Sequence, residues 1–197
     1  VDVVLSDDGL QHYKLYRDLE IVVVDGQRLF SNGFCLPAGP LRESMSRLKQ
    51  VQHIIVNGER AKEIPALQDA STMHLEPRSL VNLLSGEKRP FSGAPFNMGN
   101  KLQAVSALGN PQRFYDLLER LPYQIETFSF PDHHNFAADD FEQQGIDEHQ
   151  PVVMTEKDAV KCRQFAKNNF WYLSVEVNLE SQFVERLIED IRQVSTL

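Results

Sequence analysis

An α/β fold is indicated by the stretch Ile21-Val22-Val23-Val24-Asp25-Gly26, in which four apolar residues precede an acid and a glycine. A similar run, Val1-Asp2-Val3-Val4-Leu5, leads into Ser6-Asp7-Asp8-Gly9, and a third over residues 51–56 leads into Asn57-Gly58. Short apolar runs that stop at turn residues are typical of buried parallel strands. The sequence therefore predicts a parallel sheet whose strands carry polar residues at their carboxyl ends.

The second half of the chain alternates strand and helix patterns. Between the halves, residues 59–100 are irregular and rich in proline and glycine, which predicts a connector that can contain a hairpin. Beyond it, alternation of strands with helices favours a second α/β unit. Strands are predicted at residues 102–108, 123–130, 151–154 and 170–175, and helices after Asn110-Pro111, at 137–144, from Lys157 and at 181–194.

The composition places the chain among folded proteins and argues against nucleic-acid binding. Of the 197 residues, 42% are hydrophobic, which suffices for one large domain or two small ones. The net charge is −8, and an acidic surface repels nucleic-acid phosphates. Cys35 and Cys162 are too few for a disulfide framework or a metal knuckle, which fits a reducing compartment. No apolar run reaches the roughly 18–20 residues of a transmembrane helix.

The sharpest motif follows the first predicted strand and reads Asp7-Asp8-Gly9-Leu10-Gln11-His12. Ligands of open α/β sheets bind beyond the carboxyl ends of strands, and a carboxylate there can hold the Mg²⁺ that bridges nucleotide phosphates. A single acid at this place often only caps a helix, but adjacent carboxylates repel each other unless a cation or strong donors compensate them. We therefore expect Asp7 and Asp8 to bind a metal, with Gln11 and His12 within reach of the same pocket.

A second polar motif, Phe130-Pro131-Asp132-His133-His134-Asn135-Phe136, also follows a predicted strand. A histidine with a carboxylate partner suits proton transfer near neutral pH, and two histidines with an aspartate can also ligate a metal. The alternative is that Asp132 or Asn135 caps the next helix while the histidines are solvated. The motif is therefore a candidate catalytic site with a structural alternative.

A third motif, Thr155-Glu156-Lys157-Asp158-Ala159, leaves two interpretations equally open. Lys157 can contact a phosphate. Alternatively, Thr155 caps a helix whose first turn is acidic.

The region between the second and third predicted strands combines a rigid loop with basic residues. Residues 30–40 are too rich in glycine and proline for a regular element, and residues 44–50 predict a short helix. The loop leads into Arg42 and Glu43, with Arg47 and Lys49 beyond. Arginine binds phosphate with a two-pronged donor fork, so the cluster can dock an anionic head group, although such clusters are more often solvated surface. For the apolar side chains nearby, core positions are expected rather than acyl-chain contacts: Phe30, Phe34 and Leu36.

Neither a Walker A loop nor a Rossmann glycine triplet occurs in the sequence.

Taken together, six motifs resemble the tetraacyldisaccharide 4′-kinase family, in order and at suitable distances. The resemblance extends over nearly the whole chain. It rests on DDGLQH (7–12), IVVVDG (21–26), PAGPLRE (37–43), GNPQRF (109–114), FPDHH (130–134) and TEKDA (155–159).

The resemblance implies both an architecture and an activity. The architecture is a P-loop-type α/β core with a parallel sheet, present in part over residues 1–70, a connector over 71–101, and a second, smaller α/β lobe over 102–197, with ATP and Mg²⁺ between them. The activity is transfer of the γ-phosphoryl group of ATP to the 4′-hydroxyl of a tetraacylated glucosamine disaccharide 1-phosphate. In the family this step of lipid A biosynthesis takes place at the cytoplasmic face of the inner membrane.

The resemblance also implies roles for individual residues. Asp7 and Asp8 resemble the acids that hold Mg²⁺, and His133 resembles the histidine that pairs with a carboxylate base. The resemblance assigns Asp132 to the catalytic group. It also implies that Gln11 and His12 bind the nucleotide and that Arg42 and Glu43 bind the lipid substrate.

Some of the family's working parts are expected outside this sequence. The Walker A loop, the carboxylate base and a membrane-associating helix all precede the DDGLQH motif in the family, and the sequence opens on Val1 rather than on a methionine. We therefore expect a fragment of a longer peripheral membrane protein. The 197 residues alone are expected to be inactive and to bind ATP weakly.

Two other functions remain open at this point. A metal-dependent phosphohydrolase would use Asp7, Asp8, Asp132, His133 and His134 as ligands to one or two ions, without needing an ATP loop. It leaves the GPLRE and GNP segments unexplained, and it predicts a tightly bound transition metal after purification. A non-catalytic binding module is the third possibility, and it is favoured if no Walker A loop precedes the DDGLQH motif.

Overall fold

The computed structural model describes residues 3–97 and 100–194, which fold into two compact units. The first unit comprises the chain up to Leu75 together with the part from Val177 onward, and the second is Glu76–Glu176. Strands β3 (Ser71–Asn82) and β8 (Phe170–Leu179) each begin in one unit and end in the other.

The first unit is built on parallel strands, as the apolar runs predict. Strand β1 (Ile21–Asp25) pairs in parallel with β2 (His53–Asn57), which pairs in parallel with the start of β3. Helix α4 (Ser181–Val194) completes the unit, and its Phe183 is buried. Short 3₁₀ helices at Met45–Gln50 and Pro65–Leu67 lie between the strands, and Ser44 caps the first of them. The core centres on Val24, Val56 and Leu67.

The predicted first strand is wrong. Residues 3–5 form no strand, and Val4 and Leu5 are 82% and 90% exposed. Val1 and Asp2, where that strand was predicted to begin, lie outside the described residues. A strand needs a neighbour that accepts and donates its backbone hydrogen bonds. No strand of residues 3–97 or 100–194 pairs with residues 3–5, so their apolar character alone does not make a strand.

The second unit has the alternating α/β pattern that the sequence predicts. Besides β3 and β8, its strands are β4 (Lys88–Pro90), β5 (Lys101–Ser106), β6 (Gln124–Ser129) and β7 (Val152–Thr155). They lie in the order β3, β8, β7, β5, β6, and the pairs β5–β6, β5–β7 and β7–β8 are parallel. Strand β4 pairs antiparallel with β3, which places a hairpin in the predicted connector. The helices are α1 (Gln112–Leu118), α2 (Ala138–Gln143) and α3 (Glu156–Cys162).

Strand β5 is central because both of its faces are covered. Leu102 and Ala104 pack into a cluster with Phe114 and Leu118 of α1, whereas Val105 belongs to a cluster on the other face. The buried side-chain amide of Gln103 forms two hydrogen bonds with the backbone of Asp147. Its Nε2 donates to the Asp147 carbonyl at 2.8 Å, and its Oε1 accepts from the Asp147 N–H at 2.7 Å. Parallel strands with both faces covered are buried throughout, which confirms the α/β class.

None of the helices in the described ranges is both long and apolar enough to span a bilayer.

The two cysteines are free thiols in different surroundings. Burial, and after it the neighbouring Asp158 carboxylate, raises the pKa of Cys162 to about 12. Because the thiolate is the reactive form, we expect Ellman's reagent at about pH 8 to modify the half-buried Cys35 in the native chain and Cys162 only after denaturation. Rapid modification of both thiols before denaturation would contradict this assignment.

Candidate active site

The DDGLQH segment forms a tight turn that exposes both of its acids. The turn is closed by a bond from the backbone N–H of His12 to the carbonyl of Gly9 at 2.9 Å. Asp8 has a φ of 51°, in the left-handed region that aspartate tolerates better than most residues. The carboxylates of Asp7 and Asp8 are exposed and have no hydrogen-bond or ion-pair partner among the described residues. Both are therefore available to a ligand.

An ion-pair network ties this turn to the loop that carries Arg42. Arg17 donates to the carbonyls of Gly9 and His12 and pairs with Glu20 at 2.6 Å. Arg47 donates to both oxygens of Glu20, at 2.8 and 2.7 Å, and its Nε lies 3.6 Å from Glu43.

The network is a structural feature that the sequence motifs do not reveal. The hydrogen bond and charge of the Glu20 carboxylate raise the pKa of Arg47. Glu20 and Arg17 lie outside every strand-end motif, and Glu20 meets Arg47 across 27 residues of sequence. Glu43, assigned above to substrate binding, is half-buried against Arg47.

The GPLRE loop is held in one conformation by its own side chains. Asn32 donates to the carbonyl of Ala38 at 3.0 Å and accepts from the backbone of Phe34 at 3.1 Å. A Cβ on Gly39 would overlap the Asn32 side chain and the Phe34 carbonyl, so only glycine fits there. Arg42 is exposed beyond it, donates to Gln11 Oε1 at 3.3 Å, and pairs with no carboxylate of the described residues. Gln11 and Arg42 are thus brought together at one surface.

Two apolar side chains of this loop are not in the core, contrary to prediction. Phe34 and Leu36 are 62% and 66% exposed, whereas Phe30 packs against the core of the first unit. The physical reason is that the backbone of this segment is held by hydrogen bonds within the loop, through Asn32, rather than by pairing with a strand of the described residues.

In the second unit the DHH segment presents His133 to solvent. Its side chain is 74% exposed, and its Nε2 lies 3.8 Å from Asp132 Oδ2. The backbone is in the left-handed region, with φ 60°, and its N–H is shared between Asp132 Oδ1 at 3.0 Å and the carbonyl of Ala107 at 3.3 Å. A Cβ on Gly109 would lie 3.1 Å from Asp132 Oδ2, so the GNP segment runs close against the Asp132 side chain.

His134, by contrast, has a structural role. Its Nε2 lies 2.9 Å from Asp140 Oδ2, and its ring stacks on Phe130 with centroids 5.0 Å apart. Asp140 also accepts from the backbone N–H of Ala137 at 2.7 Å, and these two contacts, the backbone one first, hold the pKa of Asp140 below its usual range. The start of α2 is thus capped by Asp140, and the predicted cap by Asp132 or Asn135 is wrong. The solvated histidines expected by the same alternative are found at His133 but not at His134.

The TEKDA segment caps a helix. Thr155 Oγ1 accepts from the backbone N–H of Asp158 at 3.2 Å, at the start of α3. Lys157 is exposed on the first turn, and it forms no hydrogen bond or ion pair within the described ranges. The capping interpretation is therefore confirmed, while a phosphate contact of Lys157 stays a prediction.

The predicted site residues thus form two groups, one in each unit. Asp7, Asp8, Gln11, His12, Arg42 and Glu43 belong to the first unit, and Asp132 and His133 belong to the second. Within residues 3–97 and 100–194, no group of three or more histidine, cysteine, aspartate or glutamate side chains is arranged to hold a metal ion. Two exposed carboxylates without partners nonetheless fit Mg²⁺, because that ion is usually held by one or two carboxylates, with phosphates and water completing its shell.

The described residues form an α/β protein with two adjacent exposed acids, an exposed histidine, and an arginine that contacts Gln11 but none of their carboxylates. These features agree with comparisons to known proteins. The family model described as tetraacyldisaccharide-1-P 4′-kinase matches residues 1–192. The chain belongs to this family.

Individual relatives carry the same name. The chain is 47% identical over 196 residues to the tetraacyldisaccharide 4′-kinase of Histophilus somni, covering 98% of this chain and 55% of that protein. It is 49% identical over 179 residues to that of Haemophilus influenzae, covering 90% of this chain and 50% of the relative. A crystal structure of LpxK from Aquifex aeolicus in complex with ATP superposes with a TM-score of 0.62 at 26% identity, over 93% of this chain and 56% of that one. The chain spans about half the length of the curated relatives it matches.

Proposed function

We propose that the chain forms part of an ATP-dependent kinase that phosphorylates the 4′-hydroxyl of a tetraacylated glucosamine disaccharide 1-phosphate in lipid A biosynthesis. The observation that carries this proposal is the family match over residues 1–192. It is supported by the retention of six motifs, whose acids, histidine and arginine lie on ordered loops.

Asp7 and Asp8 are proposed to hold Mg²⁺. When bound, the ion neutralises the charge that develops on the transferring phosphoryl group. The turn that carries both acids is stabilised by Arg17, so their placement does not depend on a ligand. Gln11 and His12 follow on the same turn and are proposed to contact the nucleotide.

His133 is proposed to assist proton removal from the 4′-hydroxyl, together with a carboxylate base supplied elsewhere in the family's longer chain. Its exposure and its weak 3.8 Å approach to Asp132 leave the imidazole free to pair with that base. Asp132 is proposed to orient the loop, because its other oxygen accepts the N–H of His133.

The location proposed for the whole enzyme is the cytoplasmic face of the inner membrane, where an acylated substrate is accessible. The competing functions are not favoured. A phosphohydrolase does not account for the family match, and its proposed ligand His134 is engaged with Asp140. A non-catalytic module is equally disfavoured, because the relatives are named as kinases.

The proposal is tested in a full-length hybrid, in which this chain replaces the matching segment of the Histophilus somni relative. The hybrid is incubated with Mg·ATP and the tetraacylated disaccharide 1-phosphate, and the lipid product is analysed by mass spectrometry and by NMR for the position of the new phosphate. We expect one phosphoryl group at the 4′ position, only when ATP is present. A folded hybrid that hydrolyses ATP without modifying the lipid would contradict the proposal.

Arg42 is expected to act on the lipid substrate. Replacing Arg42 with alanine in the full-length hybrid should raise the apparent KM for the lipid by about tenfold, because a lost phosphate contact away from the transferring group weakens ground-state binding more than chemistry. The KM for Mg·ATP should change by less than about twofold. Arg28→Ala, which removes an exposed arginine outside the motif, is the matched control. An increase in the KM for Mg·ATP with an unchanged KM for the lipid would show instead that Arg42 contacts the nucleotide.

A further inference from the structure

The second unit contains one fully buried carboxylate that the proposed mechanism does not use. Asp158 lies in the first turn of α3 and is 0% exposed. Burying a charge is costly unless it is paired and hydrogen-bonded. A buried carboxylate that accepts several hydrogen bonds therefore holds its donors in place, and those donors show which part of the structure it supports.

Asp158 binds three groups from different parts of the unit. Its Oδ2 accepts from the backbone N–H of Ala107 at 3.0 Å and from the hydroxyl of Thr155 at 2.8 Å, and its Oδ1 lies 3.1 Å from Lys161 Nζ. Thr155 and Lys161 are local, at the end of β7 and in α3. The bond to Ala107 is different, because it crosses 51 residues of sequence to the end of β5.

Ala107 connects the buried carboxylate to the DHH segment. Its N–H is held by Asp158, and its carbonyl accepts from the backbone N–H of His133 at 3.3 Å. One residue earlier, the carbonyl of Ser106 accepts from the backbone N–H of Phe130 at 2.9 Å. The Ala107 peptide groups thus support the segment in which His133 adopts its left-handed conformation. Ala107 is fully buried, so its N–H needs an acceptor inside the protein, and Asp158 is that acceptor.

We infer that Asp158 is a positioning residue for His133, acting through the backbone of Ala107. The inference rests on the proposed function, in which His133 takes part in phosphoryl transfer. An error of about 1 Å in the position of a catalytic group can cost about a hundredfold in rate, so the loss of a remote anchor is sufficient to slow chemistry. The acid of the TEKDA motif then has a role beyond the threonine cap.

The test is a double-mutant cycle in the full-length hybrid. Asp158→Ala should lower kcat by about 10- to 100-fold and leave the KM for Mg·ATP within about twofold. In the His133→Ala background the same substitution should cause less than about a twofold further loss, because the effect passes through the missing imidazole. Circular dichroism and a thermal melt establish that each variant is folded at the assay temperature.

Two further variants separate positioning from general stability. Lys161→Met removes the ion pair on the other oxygen but keeps the bond to Ala107, and Glu156→Gln removes an exposed acid of the same helix turn; both should retain kcat within about twofold. Asp158→Asn keeps an oxygen that can accept from Ala107, so it should lose less kcat than the alanine variant. If Asp158→Ala does not fold, Asp158→Asn replaces it in the double-mutant cycle with His133→Ala, with an expected loss of kcat of about threefold.

Equal fold losses from Asp158→Ala in both backgrounds, or unchanged kcat in a folded Asp158→Ala variant, would overturn the inference. Failure of the proposed function has a different signature. In that case His133→Ala would itself leave kcat unchanged, and Asp158 would then have no catalytic histidine to position.

Discussion

Replacing His133 with alanine in the full-length hybrid is expected to lower kcat by about 10²- to 10⁴-fold, the range that proton-transfer groups contribute. The affinity for ATP should stay nearly unchanged, because the imidazole is assigned to the acceptor hydroxyl rather than to the nucleotide. The side chain is 74% exposed, so its removal leaves no cavity and should not lower stability appreciably. Steady-state kinetics with each substrate varied in turn measures both quantities.

The neighbouring histidine provides the matched control. His134→Ala breaks the contact with Asp140 and the stack on Phe130, so it should lower the melting temperature while reducing kcat less than His133→Ala does. Added imidazole should partly restore the rate of His133→Ala, whose site is open to solvent, but not that of His134→Ala. If His134→Ala were the slower enzyme at a temperature where both are folded, the assignment of the two histidines would be reversed.

The metal acids should show an effect of similar size. Asp7→Asn or Asp8→Asn in the full-length hybrid is expected to lower the transfer rate by about a hundredfold or more, because the bound Mg²⁺ contributes several kcal/mol to stabilising the transition state. The variants should also require more Mg²⁺ to reach their maximal rate. Both side chains are exposed and have no partner among the described residues, so the fold should survive either change.

Asp18→Asn is the control for these two substitutions. Asp18 is an exposed acid of the same unit outside the motif, and its neutralisation changes the net charge equally. It should leave the rate and the Mg²⁺ requirement unchanged. Turnover close to that of the unaltered hybrid in both the Asp7→Asn and the Asp8→Asn variant would rule out these residues as the metal site.

Much of the fold follows from local patterns. The apolar run before Asp25 forms β1, and the Asn110-Pro111 pair precedes α1, whose Phe114 and Leu118 pack into the core. Strand β5 is predicted because most of residues 102–107 are apolar or small, and Leu102, Ala104 and Val105 lie in the core on its two faces. Such signals are local, so a single sequence contains them.

Other features depend on contacts that the sequence does not display. Val4 and Leu5 look like a strand, but a strand also needs a partner. The bonds that join Glu20 to Arg47, and Asp158 to Ala107, span 27 and 51 residues. The residue types alone do not separate two adjacent histidines. The family resemblance singles out His133, and the contact of His134 with Asp140 explains why His134 is structural.

The central claim is that residues of this chain act in the chemical step of 4′-phosphorylation, and single-turnover kinetics tests it most directly. The full-length hybrid, in excess over prebound lipid, is mixed with Mg·ATP and quenched at intervals, alongside its Asp8→Asn, His133→Ala and Asp18→Asn variants. We predict that Asp8→Asn and His133→Ala slow formation of the 4′-phosphorylated lipid by about a hundredfold or more, while Asp18→Asn does not. Single-turnover rates equal to that of the unaltered hybrid in both site variants would contradict the account.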